Sequence, residues 1–246
     1  MIGIVTRSAM GDGLLGSERM RCDWVAPHIP AVKWHMEPLE QYNTVIFQKV
    51  SPTGFPECEQ LRILDMCDPV WRDHPTHVRE ALPLVQAVTV SSEAAKADFC
   101  QVHDAPCYVV PDAHDLDAYR PRRHDGRRYV WFGYSRNFWA AEKLVRSFPE
   151  REVQIVSDEP VGYGSFQPWL NDQVAFNVIG RSKVAVLPPA GDLKSNNRKI
   201  TAWALRLDVI EDDGGAQDWE AHQDEVAEHS APNIAARIRQ IIGELQ

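Results

Sequence analysis

The chain has 246 residues, 44% of them hydrophobic and 25% charged, which suits one large α/β domain or two of roughly 110–120 residues. A formal net charge of -9 argues against a protein that coats nucleic acid by displacing counterions from phosphates. No apolar run approaches the roughly 20 residues that span a bilayer, and five scattered cysteines without Cys-x-x-Cys spacing argue against structural zinc or a disulfide framework.

In chain order, short β-branched apolar runs alternate with segments of helical period, the pattern of strand-helix-strand units around a parallel sheet. Strands are predicted at 2–6, 44–48, 62–65, 87–91 and 108–110, and helices near 17–26, 76–82 and 92–102, with Ser92 as N-cap of the last. The first strand starts at residue 2, without the charged start and apolar stretch of a signal peptide, so a cytoplasmic protein is expected. At Pro111-Asp112-Ala113-His114-Asp115 the pattern breaks. Residues 1–118 are read as an N-terminal Rossmann-like domain, the polar stretch 119–128 with Pro121 and Gly126 as a linker, and 129–246 as a second such domain. Its strands are predicted at 129–132, 153–156, 184–187 and 208–210, with helices at 138–148, 170–181 and 196–205 and a loop at 160–169. A closing helix at 232–245 carries Ile234, Ile238, Ile241 and Ile242 on one face. The expected fold is therefore α/β, with two Rossmann-like domains facing each other across a cleft and the C-terminal helix packing back.

Ligands of open α/β sheets bind outside the carboxyl ends of the strands, so chemistry-bearing residues are sought there. The densest group follows the 184–187 strand, where Lys194, Ser195, Asn196, Asn197 and Arg198 open a helix. Unpaired helix N–H groups and two cations spaced one turn apart suit a diphosphate. Ser195, Asn196 and Asn197 can cap the helix or donate to ligand oxygens; the same residues also fit a well-capped surface helix with solvated charges. At the end of the 129–132 strand, Gly133 allows close backbone approach and Arg136 can pair with phosphate, or the segment is a simple turn. In the first half, Asp65 and Asp68 end a strand where they can hold sugar hydroxyls or act as a base; a capping Asx turn is the alternative. His74 and His77 lack a ligand pattern for metal. The loop Gly11-x-Gly13-x-x-Gly16, ahead of Arg19 and Arg21, starts too far past the first strand for a dinucleotide fingerprint and is read as a lid facing donor or acceptor.

In order, the segments Ser17-Glu18-Arg19-Met20-Arg21, Val45-Ile46-Phe47-Gln48-Lys49, Leu64-Asp65-Met66-Cys67-Asp68, Val88-Thr89-Val90-Ser91-Ser92-Glu93, Val109-Val110-Pro111-Asp112-Ala113-His114-Asp115, Trp131-Phe132-Gly133 and the helix start from Lys194 to Arg198 resemble the retaining GT-B glycosyltransferases of bacteria and their phages. The resemblance runs from about residue 3 to 210. It implies donor contacts from Gly133, Arg136, Lys194, Ser195, Asn196, Asn197 and Arg198, and an acceptor side formed by Gly16, Arg19, Arg21 and His114. Catalytic roles are implied for Asp65, Asp68, Lys194 and Arg198. The chain departs from the family at its crossover, which reads Pro111-Asp112-Ala113-His114, and lacks the usual glutamate pair seven residues apart. The expected partner is a nucleotide-sugar co-substrate such as a UDP- or GDP-sugar, with no metal, no other cofactor and no stable membrane insertion. Two acceptors are expected, a hydroxymethylated base of phage DNA, for which Arg19, Arg21, Lys49 and Arg72 can form a basic groove, or a cell-surface glycan. A non-catalytic nucleotide-sugar-binding module is the alternative function.

Overall fold

The computed structural model describes residues 1–8, 16–56, 59–120, 123–189, 191, 193, 196–212 and 215–246. The chain forms two compact units. The first contains Met1–Ala113 and the C-terminal His229–Gln246; the second contains His114–Ala190 and Asn196–Glu228.

The first unit is a six-stranded sheet of β1 (Ile2–Thr6), β2 (Ala31–Lys33), β3 (Thr44–Gln48), β4 (Leu61–Met66), β5 (Ala87–Val90) and β6 (Cys107–Val109), all parallel, in the order β2-β1-β3-β4-β5-β6. Strands β1, β3, β4 and β5 are buried at every position, as expected of a sheet covered on both faces. Alternation along each strand divides the side chains between two cores. Val45, Phe47, Leu64, Met66, Val88 and Val90 pack with Trp71, Val78, Ala95 and Phe99, carried by or adjoining α2 (Val70–Asp73), α3 (Pro75–Ala81) and α4 (Glu93–Cys100). Ser92 caps α4 by accepting from the Ala95 N–H at 3.1 Å. On the opposite face Ile2, Ile4, Ile46 and Ile63 pack with Cys22, Val25 and the apolar stripe Ile234, Ile238, Ile241 and Ile242.

That stripe belongs to the last helix, Ala231–Leu245. The periodicity correctly predicts the helix, but the sequence division placed it with the second domain; in the structure it completes the core of the first. The predicted helix at 17–26 is also different. It is a short α1 (Gly16–Glu18), a π-helical turn over Arg19–Asp23 and a 3₁₀ turn over Ala26–His28, with Pro27 in the last of these removing a backbone donor.

The second unit holds β7 (Tyr129–Phe132), β8 (Val153–Ser157), β9 (Ser165–Pro168), β10 (Val184–Leu187) and β11 (Asp208–Glu211), again all parallel, in the order β11-β10-β7-β8-β9. Its helices are α5 (Glu142–Val145), α6 (Asp172–Gly180), α7 (Asn197–Ala204) and α8 (Gln223–Glu228), and the closing helix of the first unit becomes α9. Trp131, Tyr129, Val153, Ile155 and Val186 pack with Phe138, Ala141 and Val145. The segment read as a helix over 138–148 is a 3₁₀ stretch, Ser135–Ala140, followed by the short α5. The stretch read as a loop at 160–169 supplies edge strand β9.

Among the described residues no helix is long and apolar enough to cross a membrane.

Candidate functional site

In the second unit the chain runs β7 to β8 to β9 in one direction, then restarts at β10 on the other side of β7. The strand order therefore reverses between β7 and β10, and the carboxyl ends of those two strands bound the place where open parallel sheets take their ligands. Gly133 follows β7, and α7 follows β10. Gly133 has φ +148, a conformation that a side chain disfavours. A Cβ built on it would stand 3.6 Å from both Arg198 Nη1 and Trp131 Cζ2. Two residues 65 positions apart in sequence are thus brought side by side at the switch point.

Arg198 lies in the first turn of α7. Its Nη1 is buried and makes no hydrogen bond among the described residues, and burial pushes the pKa of its guanidinium down. A buried guanidinium nitrogen with no hydrogen bond among the described residues is unfavourable on its own, and a phosphate would supply both the charge and the acceptor oxygens. Asn196 occupies the N-cap of α7, yet its side chain makes no capping hydrogen bond, so of the two uses read for it in the sequence, capping and donation to a ligand, capping is not the one it makes. The helix starts at Asn197. Lys194 and Ser195 lie outside the described residues. Asn197 is half-buried in the first turn. The next cation, Lys199, is engaged elsewhere, 3.0 Å from Glu211 and 5.7 Å above the Trp203 ring.

Arg136 is exposed, with its guanidinium 5.3 Å from the Tyr134 ring. The sequence reading passed over Asp158, directly after β8, which accepts from the Ser135 N–H at 2.6 Å. That bond and the Ser135 hydroxyl outweigh burial and hold the Asp158 carboxyl below its ordinary range. An acidic residue at a strand's carboxyl end next to the switch point was the available signal.

In the first unit the order reverses between β1 and β3. The acceptor and catalytic residues expected here separate into two groups. Arg21 is 4% exposed, its Nε donates to Asp112 Oδ1 at 2.7 Å and its Nη1 lies 3.3 Å from Asp65 Oδ1. Asp65 is equally buried and accepts from the Thr89 hydroxyl at 2.6 Å. Burial pushes the Asp65 carboxyl up, while Asp65 and Asp112 together outweigh burial to keep Arg21 above its usual range. The cavity beside this triad, bounded by Gln48, Thr89, Ile238 and Ile241, has a volume of about 20 Å³, which admits a group the size of a water and no sugar ring. Arg21 and Asp65 are therefore parts of a buried ion triad, which corrects their reading as acceptor-facing and catalytic groups. His114 is corrected likewise: it belongs to the second unit, is buried, and its Nε2 lies 2.7 Å from the Val226 carbonyl oxygen.

Asp68, in contrast, is half-exposed after β4 and takes an ion pair from Lys49. Gly16 opens α1, and Arg19 stacks 5.1 Å over Trp24. Arg72 donates through Nε to Asp98 at 2.9 Å, and Trp71 Nε1 donates to the same carboxylate at 2.7 Å. Three of the four cations expected to line a basic groove, Arg21, Lys49 and Arg72, are thus neutralised by carboxylates of their own unit, which removes the electrostatic support for a DNA groove at these residues. His74 and His77 stack on one another at 5.7 Å.

The Asp98 site yields a pH dependence. Arg72 and Trp71 lower the Asp98 pKa from 3.8 to about 2. A depressed carboxyl contributes stability above its unfolded pKa and loses it as pH falls through the folded one. Asp98→Asn is expected to lower the melting temperature at pH 7, and the gap from the parent is expected to close between pH 4 and pH 2 in parallel thermal melts.

No family model matches the sequence, and no curated protein matches it. Among solved structures the chain is similar in fold to HepE of Anabaena in complex with UDP-glucose, with a TM-score of 0.61, 11% identity, and coverage of 97% of this chain and 94% of that one. HepE in complex with UDP gives 0.58 at 12% identity, covering 100% and 90%. Sucrose-phosphate synthase of Thermosynechococcus elongatus gives 0.53 at 13% identity, covering 83% of this chain and 65% of that one. These likenesses show the fold, two Rossmann-like units of the GT-B class.

Proposed function

We propose that the protein is a glycosyltransferase that moves a sugar from a nucleotide diphosphate donor to an acceptor hydroxyl. The observation that carries the reading is the juxtaposition of Gly133 and Arg198 at the switch point of the second unit, with a buried guanidinium nitrogen that makes no hydrogen bond among the described residues. Gly133 allows the ligand to approach the backbone, Arg198 meets the diphosphate, and the N–H groups of the first turn of α7 add a positive dipole end. As the bond from the sugar's anomeric carbon to the diphosphate breaks, negative charge grows on the departing oxygen. A fixed cation there lowers the barrier without a metal. Similar folds binding UDP-glucose in HepE support a UDP-sugar as the first donor to test, and Lys194, Ser195, Asn197 and Arg136 are assigned with it to the donor side.

The acceptor is proposed to be a glycan hydroxyl, because three of the four cations invoked for DNA are already paired with carboxylates within the first unit. The sequence resemblance implies transfer with retention, which the anomeric configuration of the product reports by NMR. The test is a thermal-shift and hydrolysis screen against UDP-, GDP-, ADP-, CDP- and dTDP-sugars, with soluble glycans and hydroxymethylated duplex DNA as separate acceptors and with chelator in a parallel arm. One donor is expected to raise the melting temperature and to be turned over in the presence of chelator. Turnover without any response to chelator supports the metal-free mechanism, and absence of a shift with every nucleotide sugar overturns the proposal. Transfer to DNA alone overturns the glycan assignment while leaving the reaction class intact.

A further inference from the structure

Helix α4 ends at Cys100, and the chain then turns and re-enters the sheet at Cys107, the first residue of β6. The Val102 and His103 N–H groups donate to the Phe99 carbonyl at 3.1 and 3.0 Å, which closes the helix. The Val88 N–H donates to the Pro106 carbonyl at 2.8 Å, which seats the returning chain on β5 with Cys107 opposite Val88. Strand β6 is an edge of the six-stranded sheet. This turn brings two thiols together, and the Cys107 side chain hydrogen-bonds that of Cys100.

The two sulfurs meet different surroundings. Cys100 is exposed, and among the described residues it is the one exposed cysteine. Cys107 is 8% exposed and packs with Phe99, Val88 and Val109. Burial, and next to it Cys100, push the Cys107 thiol up to about 12, against the pull of Lys96, which stands one turn before Cys100 on α4. Cys107 is therefore inert while its neighbour is reduced, and an oxidant arriving from solvent meets Cys100.

We propose that Cys100 and Cys107 form a reversible disulfide when hydrogen peroxide reaches the protein, with Cys100 oxidised first and Cys107 resolving it. The Cys100 sulfur attacks one peroxide oxygen, the O–O bond breaks, and the departing hydroxide takes the thiol proton and leaves as water, so that Cys100 becomes a sulfenic acid. The Cys107 sulfur then attacks the Cys100 sulfur, the S–O bond breaks, and the hydroxide leaves as a second water with the Cys107 proton. Two thiols are oxidised by two electrons and one peroxide is reduced. Contact makes the second step intramolecular, which favours it over further oxidation of Cys100. The bond fastens the end of α4 to the edge strand β6, and it is independent of the glycosyltransferase reading.

The test treats the full, reduced chain with hydrogen peroxide at neutral pH, counts the remaining thiols in denaturant and maps the bonds by mass spectrometry of unreduced peptides. An aspartate-specific protease that cuts before Asp104 puts the two cysteines on separate peptides. The expected result is one linked pair joining Cys100 to Cys107, a thiol count lower by two, and return of both thiols with dithiothreitol, while the buried Cys22 and Cys67 stay free. The oxidised parent is expected to melt above the reduced one, because the bond joins groups already in contact in the folded chain. Cys100→Ser, at an exposed position, is expected to fold as the parent does and to melt alike with and without peroxide. Cys107→Ala is expected to carry Cys100 on to the sulfinic acid, since no thiol is left to resolve it. Sulfinic acid at Cys100 of the parent with Cys107 still free overturns the proposal. So does a link between the Cys100 residues of two chains, or an oxidised parent that melts below the reduced one.

Discussion

Arg198→Ala is expected to lower kcat/KM for donor turnover by about 10²–10³, the scale found when one preorganised partner of a developing charge is removed. The expectation rests on the position of the guanidinium beside Gly133 and on Nη1 having no hydrogen bond among the described residues. A side chain retained for stability would show the opposite pattern. Burial of Arg198 already disfavours its charge, so removing it relieves an unfavourable group, and the melting temperature of Arg198→Ala is expected to equal or exceed the parent's. Arg198→Lys keeps a point charge but loses the planar fork that meets two phosphate oxygens at once, and is expected to fall between the two. Initial-rate kinetics and a thermal melt on the same preparations decide the matter. Unchanged turnover with a lower melting temperature would make Arg198 a structural residue and remove the donor site from this helix.

The second large effect is on stability. Arg21→Met leaves Asp65 and Asp112 facing one another in the interior with no cation between them. Breaking a buried pair in this way costs about 3–5 kcal/mol, a large part of the stability of an ordinary domain. The urea midpoint is expected to fall accordingly, and adding Asp65→Asn and Asp112→Asn to Arg21→Met is expected to restore much of it, because no unpaired charge is then left inside. The deficit of Arg21→Met should also shrink as pH falls. Burial already raises the Asp65 carboxyl, and without the cation it rises further above its unfolded value, so the folded form takes up a proton preferentially and gains relative stability in acid. A midpoint that moves little at pH 7 would show that the triad contributes no more than a surface ion pair.

Four strands, β1, β3, β7 and β10, lie where the sequence predicts them to the residue, because apolar β-branched runs bounded by polar residues have few other uses in a covered parallel sheet. Strands β2 and β9 were not legible. Ala31-Val32-Lys33 is three residues long at a sheet edge, where one face needs no apolar side chain, and Ser165–Pro168 ends in a proline that only an edge position tolerates. Helical period revealed α9, but its apolar stripe fits either sheet, and only three-dimensional packing shows which one it covers. The candidate site divides in the same way. Gly133 and Arg198 were each legible as the residue after a strand or at the start of a helix. Their meeting depends on the reversal of strand order, which no local pattern encodes. The Arg21, Asp65 and Asp112 triad was misread because charge next to a strand end looks the same in sequence whether it faces solvent or is buried, and its Arg21–Asp112 hydrogen bond spans 91 positions.

The assignment of α9 to the first unit bears on the order in which the protein can be made. The strands that open the chain leave the ribosome first, yet one face of their sheet, with Ile2, Ile4, Ile46 and Ile63, is covered by Ile234, Ile238, Ile241 and Ile242, which are translated only after the whole second unit. The first unit therefore holds an apolar face uncovered through the synthesis of more than a hundred residues. The unit begun earliest thus cannot close its own core until the residues that follow the second unit have been made.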